Sequence, residues 1–255
     1  MIGELMNSEF RQRLLDGDVL VGTIITIPSP EIAEIMAGVG FDYLWIDTEH
    51  APFNARGAQS VLQAADSLCP CVIRVPGIDD IWIKKALDTG ATGIIAPQVK
   101  TAAEADAIVR MCKYPPQGTR GVGIGRAHRY GLRFQEYMQN ANENIAVILQ
   151  AETTDAVNNI ADIVKVAGVD AIFIGPYDLS ASLGKMGKLY DPEVQKAITT
   201  ITEHCKNAGV RLGIFADTAE SAQTFIQQGF NFIAISTDGL LMAQAAKKIL
   251  SDLEE

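Results

Sequence analysis

Cysteine is scarce in this sequence, basic residues are outnumbered, and no long apolar run occurs. Each shortage removes a class of protein. The four cysteines, Cys69, Cys71, Cys112 and Cys205, are too few over 255 residues for a disulfide framework. Cys69-Pro70-Cys71 has the spacing of a metal clip, but no histidine or second cysteine pair stands nearby, so the four read as buried thiols of a reducing cytoplasm. The 21 Lys and Arg against 31 Asp and Glu leave a net charge of −10. Such a field repels nucleic-acid phosphates and anionic membrane surfaces, so neither is an expected partner. Nowhere do about 18 apolar residues run together, which predicts no bilayer span. Positions 1–9, with an early Glu4, lack the basic start and apolar run of a leader peptide.

What the chain has in quantity is apolar residues, 48% of the total, with 22 glycines and only 10 prolines. That is the composition of a globular chain with a large core. Eight short apolar runs, at 19–27, 41–47, 72–75, 93–96, 145–150, 171–175, 211–216 and 230–236, alternate with helical patterns. Val194, Ala197, Ile198, Ile201 and Cys205, for example, share one helix face. Several of these patterns stop at a glycine just before the next run, at Gly40, Gly90, Gly168, Gly209 and Gly229. Strands apolar on both faces and separated by helices need a parallel sheet with its outside covered. Eight such units predict a closed (β/α)8 TIM barrel occupying residues 1–255 as a single domain. An open doubly wound sheet is the alternative, but Thr26-Ile27-Pro28-Ser29-Pro30 follows the first run where such folds place a glycine-rich loop. Positions 8–16 read as a short helix closing the barrel floor. The connections 98–144 and 176–209 are the longest, and both follow strand exits.

Barrel enzymes place their chemistry at the strand exits, and here those exits are rich in ionisable groups: Asp47-Thr48-Glu49-His50, Arg74, Gln150-Ala151-Glu152, and Gly175-Pro176-Tyr177-Asp178. Glu152 and Asp178, with the amide oxygen of Gln150, make an all-oxygen set suited to Mg²⁺ or Mn²⁺. The competing reading has both carboxylates capping the helices that follow. His50 is the one histidine at a strand exit, and Asp47 three residues earlier is a carboxylate able to orient an imidazole acting as base. The alternative is a histidine merely packed in a loop. Arg74 in a core strand requires an anionic partner, either Glu49 or an oxyanion of substrate. A divalent metal, an arginine and a proton-moving histidine together suit enolate chemistry on a small 2-oxo acid, of which aldol addition and cleavage is the simplest.

Five ordered motifs, Ile46-Asp47-Thr48-Glu49-His50-Ala51-Pro52, Val72-Ile73-Arg74-Val75-Pro76, Tyr114-Pro115-Pro116-Gln117-Gly118-Thr119-Arg120-Gly121, Gln150-Ala151-Glu152-Thr153 and Gly175-Pro176-Tyr177-Asp178-Leu179-Ser180, resemble the HpcH/HpaI aldolase family over nearly the whole chain. The resemblance implies a class II pyruvate aldolase requiring a divalent ion (Mg²⁺, Mn²⁺ or Co²⁺). Such an enzyme cleaves a 4-hydroxy-2-oxo acid to pyruvate and an aldehyde, or joins them, through a pyruvate enolate. It also implies a hexamer built as a trimer of dimers that exchange the last helix.

Carried over by motif, Glu152 and Asp178 would bind the metal, Arg74 would stabilise the enolate, and His50 with Asp47 would serve as base. Gln150 would sit beside the metal, and the N–H groups of Gly175, Tyr177 and Asp178 would hold the pyruvate carboxylate. Asp88 matches a position that reaches a neighbouring subunit's site; without the resemblance it reads as a helix-end carboxylate. Thr48 and Tyr177 depart from the residues usual there, Gly and Ala, which bears on aldehyde size and stereochemistry.

Arg120, Arg126, Arg129 and Arg133 in the long connection either meet a distal substrate carboxylate or fold the loop or an interface. That connection lacks the spacing of a dinucleotide fingerprint, and Trp45 and Trp82 read as core or interface aromatics. Three rival functions are open. A Schiff-base aldolase needs a strand-end lysine, which no expected strand contains. A lyase of the citrate-lyase β-subunit or malyl-coenzyme A type needs room for a thioester. The third rival is a non-catalytic 2-oxo-acid-binding barrel.

Overall fold

The computed structural model describes residues 8–65 and 68–253; most of the 1–9 segment discussed above lies outside them. The eight expected strands are present as β1 (Leu20–Ile25), β2 (Tyr43–Asp47), β3 (Cys71–Arg74), β4 (Gly93–Ala96), β5 (Ala146–Ala151), β6 (Ala171–Ile174), β7 (Arg211–Ala216) and β8 (Phe232–Thr237). All pair in parallel with their sequence neighbours, and β8 returns to β1 to close the barrel. The helices are α1 (Ser8–Asp16), α2 (Pro30–Val39), α3 (Ala55–Ala65), α4 (Asp80–Asp88), α5 (Ala102–Cys112), α6 (Phe134–Asn144), α7 (Thr154–Ile163), α8 (Pro176–Ser182), α9 (Pro192–Ala208), α10 (Ala219–Gln227) and α11 (Asp238–Asp252). Their starts are written locally. Ser29, Asp79, Thr101, Thr153, Asp191, Thr218 and Thr237 each accept a backbone N–H of the first turn. The five glycines read as helix stops all have positive φ, a backbone state that side chains with a Cβ disfavour.

The barrel interior changes character along its axis. Strand residues two apart point the same way, so β2 sends Tyr43, Trp45 and Asp47 inward, one above the other. At the floor, Phe10 and Leu14 of α1 plug the entry beneath Leu20, Tyr43 and Phe232, whose two rings stack at 4.4 Å. Above them Trp45 and Phe173 meet edge to face at 4.7 Å. The next inward positions are polar: Asp47, Arg74 and Gln150, all buried. A dry aromatic stack thus carries a charged layer at the mouth. The aromatic layers fit because glycines stand beside them. A Cβ on Gly22 would lie 2.5 Å from the Tyr43 carbonyl oxygen and 2.6 Å from its ring, and one on Gly213 would lie 2.6 Å from the Phe173 ring.

The closing seam is fastened by one carboxylate. Asp238, at the first turn of α11 and wholly buried, accepts the N–H groups of Thr26 (3.0 Å), Ile27 (2.9 Å) and Gly239 (2.8 Å) and the Thr26 hydroxyl (2.6 Å). It joins the exit of β8 to the exit of β1. Around the outside, the helices bury their apolar faces in a continuous second core. Among the described residues no helix is long and apolar enough to cross a membrane.

Gly22→Ala is expected to cost about 1–3 kcal/mol by overpacking. Gly38→Ala, on α2 with nothing within 4 Å of the added methyl, is expected to gain about 0.5–1 kcal/mol. Urea unfolding of the two variants checks both signs.

Candidate active site

The register of the sheet sets Asp47 directly beside Arg74. Their side chains form a two-pronged ion pair, Nε to Oδ1 at 2.9 Å and Nη2 to Oδ2 at 2.7 Å, with both groups buried. This fork-on-fork geometry fixes the guanidinium plane, which lies 5.3 Å above the Trp45 ring. The remaining prong, Nη1, is 3.4 Å from Gln150 Oε1 and 3.2 Å from Glu49 Oε2. Of the two partners expected for Arg74, Glu49 is present, while the principal one is Asp47.

That arrangement corrects the expected dyad of Asp47 and His50. Asp47 Oδ1 also accepts the backbone N–H groups of Glu49 (3.1 Å) and His50 (3.4 Å), which turns the chain sharply after β2 and commits the carboxylate. The imidazole faces outward with 65% of its side chain exposed, and Nε2 lies 3.7 Å from Glu49 Oε2. Glu49 is therefore the carboxylate beside the histidine, and its Oε2 makes no hydrogen bond.

Glu152 is buried at the exit of β5. Its Oε1 accepts the Gln98 N–H at 2.8 Å and its Oε2 accepts the Gln150 amide N–H at 2.6 Å. Gln150 thus presents its oxygen to Arg74 and its NH₂ to Glu152, linking the two, and does not lend its oxygen to the two carboxylates as expected. A Cβ on Gly175 would sit 2.6 Å from Glu152 Oε2, so only glycine fits beneath it. The capping alternative fails for both acids: Thr153 caps α7 and Gly175 stands at the cap of α8. Asp178 lies exposed in the first turn of α8. Tyr177 and Asp178 occupy positions whose N–H groups have no acceptor within the helix.

Electrostatics mark this corner as cation-poor. Burial first, then the charges of Asp178 and Glu49, push the Glu152 carboxyl up to about 7 against the opposing Gln98 hydrogen bond. Glu49 is raised as well, mainly by burial and in part by Asp47 and Asp178, against Arg74 and His50. Three carboxylates, Asp47, Glu49 and Glu152, thus surround one guanidinium, and Asp178 adds its charge to Glu49 and Glu152. The oxygen donors of Glu152 and Asp178 fit a hard divalent ion that keeps several waters. Among the described residues no group of three or more His, Cys, Asp or Glu is arranged to hold a metal ion.

Asp88 lies elsewhere, at the end of α4 next to the strand entries. Its partner is Arg120 at 2.8 Å. Arg120 is wholly buried, 4.5 Å from the Tyr114 ring and 5.6 Å from that of Tyr137, whose hydroxyl it also contacts at 3.1 Å. Arg126 donates to the Thr89 carbonyl and Arg133 pairs with Glu136. Arg120 and Arg126 therefore brace the loop, the second of their two readings, while Arg133 pairs only within the first turn of α6. Trp45 supports Arg74, a role its sequence did not disclose. Gln98 escaped the sequence reading altogether, because its contribution is a backbone N–H.

The HpcH/HpaI aldolase/citrate lyase family model matches residues 24–245. The chain belongs to this family. It is 40% identical over 239 residues to a 4-hydroxy-2-oxovalerate aldolase of Rhodococcus jostii, covering 93% of this chain and 92% of that one. It is 38% identical over 250 residues to a 4-hydroxy-2-oxo-heptane-1,7-dioate aldolase of Escherichia coli, covering 96% and 94%. The crystal structure of a family member from Burkholderia cenocepacia superposes with a TM-score of 0.94 at 35% identity, covering 97% of this chain and all of that one.

Two outcomes are expected. Asp47→Ala strands the buried Arg74 charge and should cost about 3–5 kcal/mol of stability, read by denaturant unfolding. The raised Glu152 carboxyl holds its proton longer folded than unfolded, so in chelator stability should fall as pH rises from about 4.5 to about 7, by at most about 3 kcal/mol. Glu152→Gln should flatten that slope.

Proposed function

We propose that this family member is a divalent-metal-dependent aldolase that cleaves a 4-hydroxy-2-oxo acid to pyruvate and an aldehyde, or runs the reverse addition. The observation that carries the reading is the guanidinium of Arg74, locked by Asp47 in the barrel mouth with its Nη1 prong turned towards Gln150 and Glu49 beside the Glu152 carboxylate. In this reading Glu152 and Asp178 hold the ion, Mg²⁺, Mn²⁺ or Co²⁺, which supplies Lewis-acid polarisation of the 2-oxo group. Arg74 faces the same oxygen and stabilises the negative charge that gathers there when the C3–C4 bond breaks and its electron pair moves into the enolate. Because Asp47 fixes the guanidinium in advance, no side-chain ordering opposes that step.

His50, exposed at the mouth with Glu49 as neighbour, takes the proton of the C4 hydroxyl as the aldehyde leaves. The protonated His50 then gives that proton to C3 of the enolate, which yields the methyl group of pyruvate and restores the neutral imidazole. The N–H groups of Gly175, Tyr177 and Asp178 hold its carboxylate, next to the ion and away from the departing aldehyde. Among the described residues no strand contains a lysine, which speaks against the Schiff-base route.

The assembly follows the same reading. Apart from Asp238, α11 buries none of its residues, and Leu240, Met242, Ile249 and Leu250 are exposed on it, with Leu253 exposed just beyond its end. This supports a last helix exchanged between two copies within a hexamer. Asp88 sits at the strand-entry end of its own barrel, so any mouth it serves is that of another subunit. The four buried free thiols support a cytoplasmic setting.

The test is exchange of pyruvate methyl protons in D₂O with each of the three metals. We expect metal-dependent exchange abolished by EDTA, lowered about 10²-fold or more by Arg74→Lys, which cannot rebuild the two-pronged pair, and strongly reduced by His50→Ala. No exchange with any of the metals would sink the aldolase reading. Exchange unchanged in His50→Ala would reassign the base alone.

A further inference from the structure

Among the described residues Gln98 is one of four other than glycine with positive φ, at 55°. It sits two residues past the end of β4, between buried Pro97 and Val99, and its own side chain is exposed. A non-glycine residue in this left-handed region is disfavoured by its Cβ and persists only where surrounding structure enforces it. Val99 is packed in the outer core, so the chain downstream is fixed. Returning φ to negative values would then turn the Pro97–Gln98 peptide plane, and with it the N–H that meets Glu152 Oε1 at 2.8 Å. The strained backbone and the hydrogen bond are one feature: the left-handed turn aims a donor at a buried carboxylate.

We propose that Gln98 is a positioning residue for the metal site, acting through its backbone. The Gln98 N–H and the Gln150 NH₂ grip one oxygen of Glu152 each, from β4 and β5 respectively. Together they fix the rotation of the carboxylate, so the remaining lone pairs face the mouth. Gln150 alone would leave Glu152 free to swing about a single contact. Partners outside the ligand set commonly govern metal affinity in this way, by 10- to 100-fold. The inference rests on the reading of Glu152 as a metal ligand.

The experiment is Mn²⁺ titration by calorimetry of the full chain, with thermal unfolding in chelator alongside. Gln98→Val, whose branched Cβ resists positive φ, should weaken Mn²⁺ binding 10- to 100-fold. Gln98→Gly and Gln98→Asn, which accept the left-handed region, should stay within about threefold of the parent. Gln98→Thr serves if the valine variant does not fold. Parent-like binding by the β-branched variants overturns the inference, as does equal loss in Gln98→Gly, which would assign the effect to the side chain. A loss explained by lowered folding in chelator also overturns it. If the parent and Glu152→Gln bind Mn²⁺ equally, the metal-ligand reading itself fails, a result distinct from the others.

Discussion

The pairing of Asp47 with Arg74 is the constraint on which the rest of the mouth depends. Both are inward residues at the ends of adjacent strands, placed side by side by the register, and neither tolerates burial without the other. Once the pair is formed, the guanidinium plane is fixed, and Gln150, Glu49 and Trp45 are arranged about it. The second oxygen-rich element, Glu152, is tied to that plane through Gln150. A single chain of contacts therefore runs from β2 through β3 to β5, and the spare negative charge collects at its end.

The charged layer stands on an aromatic one, and this order has a physical reason. The stacked rings of Tyr43, Phe232, Trp45 and Phe173 exclude water from below, so the groups above are solvated only from the mouth. That one-sided desolvation raises Glu152 and Glu49 together. It also strengthens any interaction with a bound anion or cation, because the local dielectric is low. The glycines at 22 and 213 belong to the same design, since they admit the rings that seal the interior.

Much of this was legible in the sequence. Buried parallel strands read as continuous apolar runs, so all eight strands and the closed barrel follow from the chain, with ends shifted by one or two residues. Arg74 and Glu152 stood out in the sequence because charge at a core strand end demands an explanation, and the structure buries both. What stayed hidden depends on cross-strand register or on backbone angle. Asp47 was matched to His50, its neighbour in sequence, whereas the sheet gives it to Arg74 from the next strand. Four arginines in one loop read as loop or interface braces before substrate clamps, and only the rings of Tyr114 and Tyr137 and the carboxylate of Asp88 decide the case for Arg120. Gln98 carries no compositional signal, because any residue but proline supplies an N–H and only its φ is unusual.

The buried carboxylate of Asp238 ties the mouth to a part of the chain that lies outside it. Every residue of the site lies between positions 47 and 178, yet the edges of the sheet meet only where β8 returns to β1 and Asp238 takes the Thr26 and Ile27 amides. The side chains of the mouth are thus held in register by a fastening that none of them touches, sixty residues downstream of the last of them in the chain.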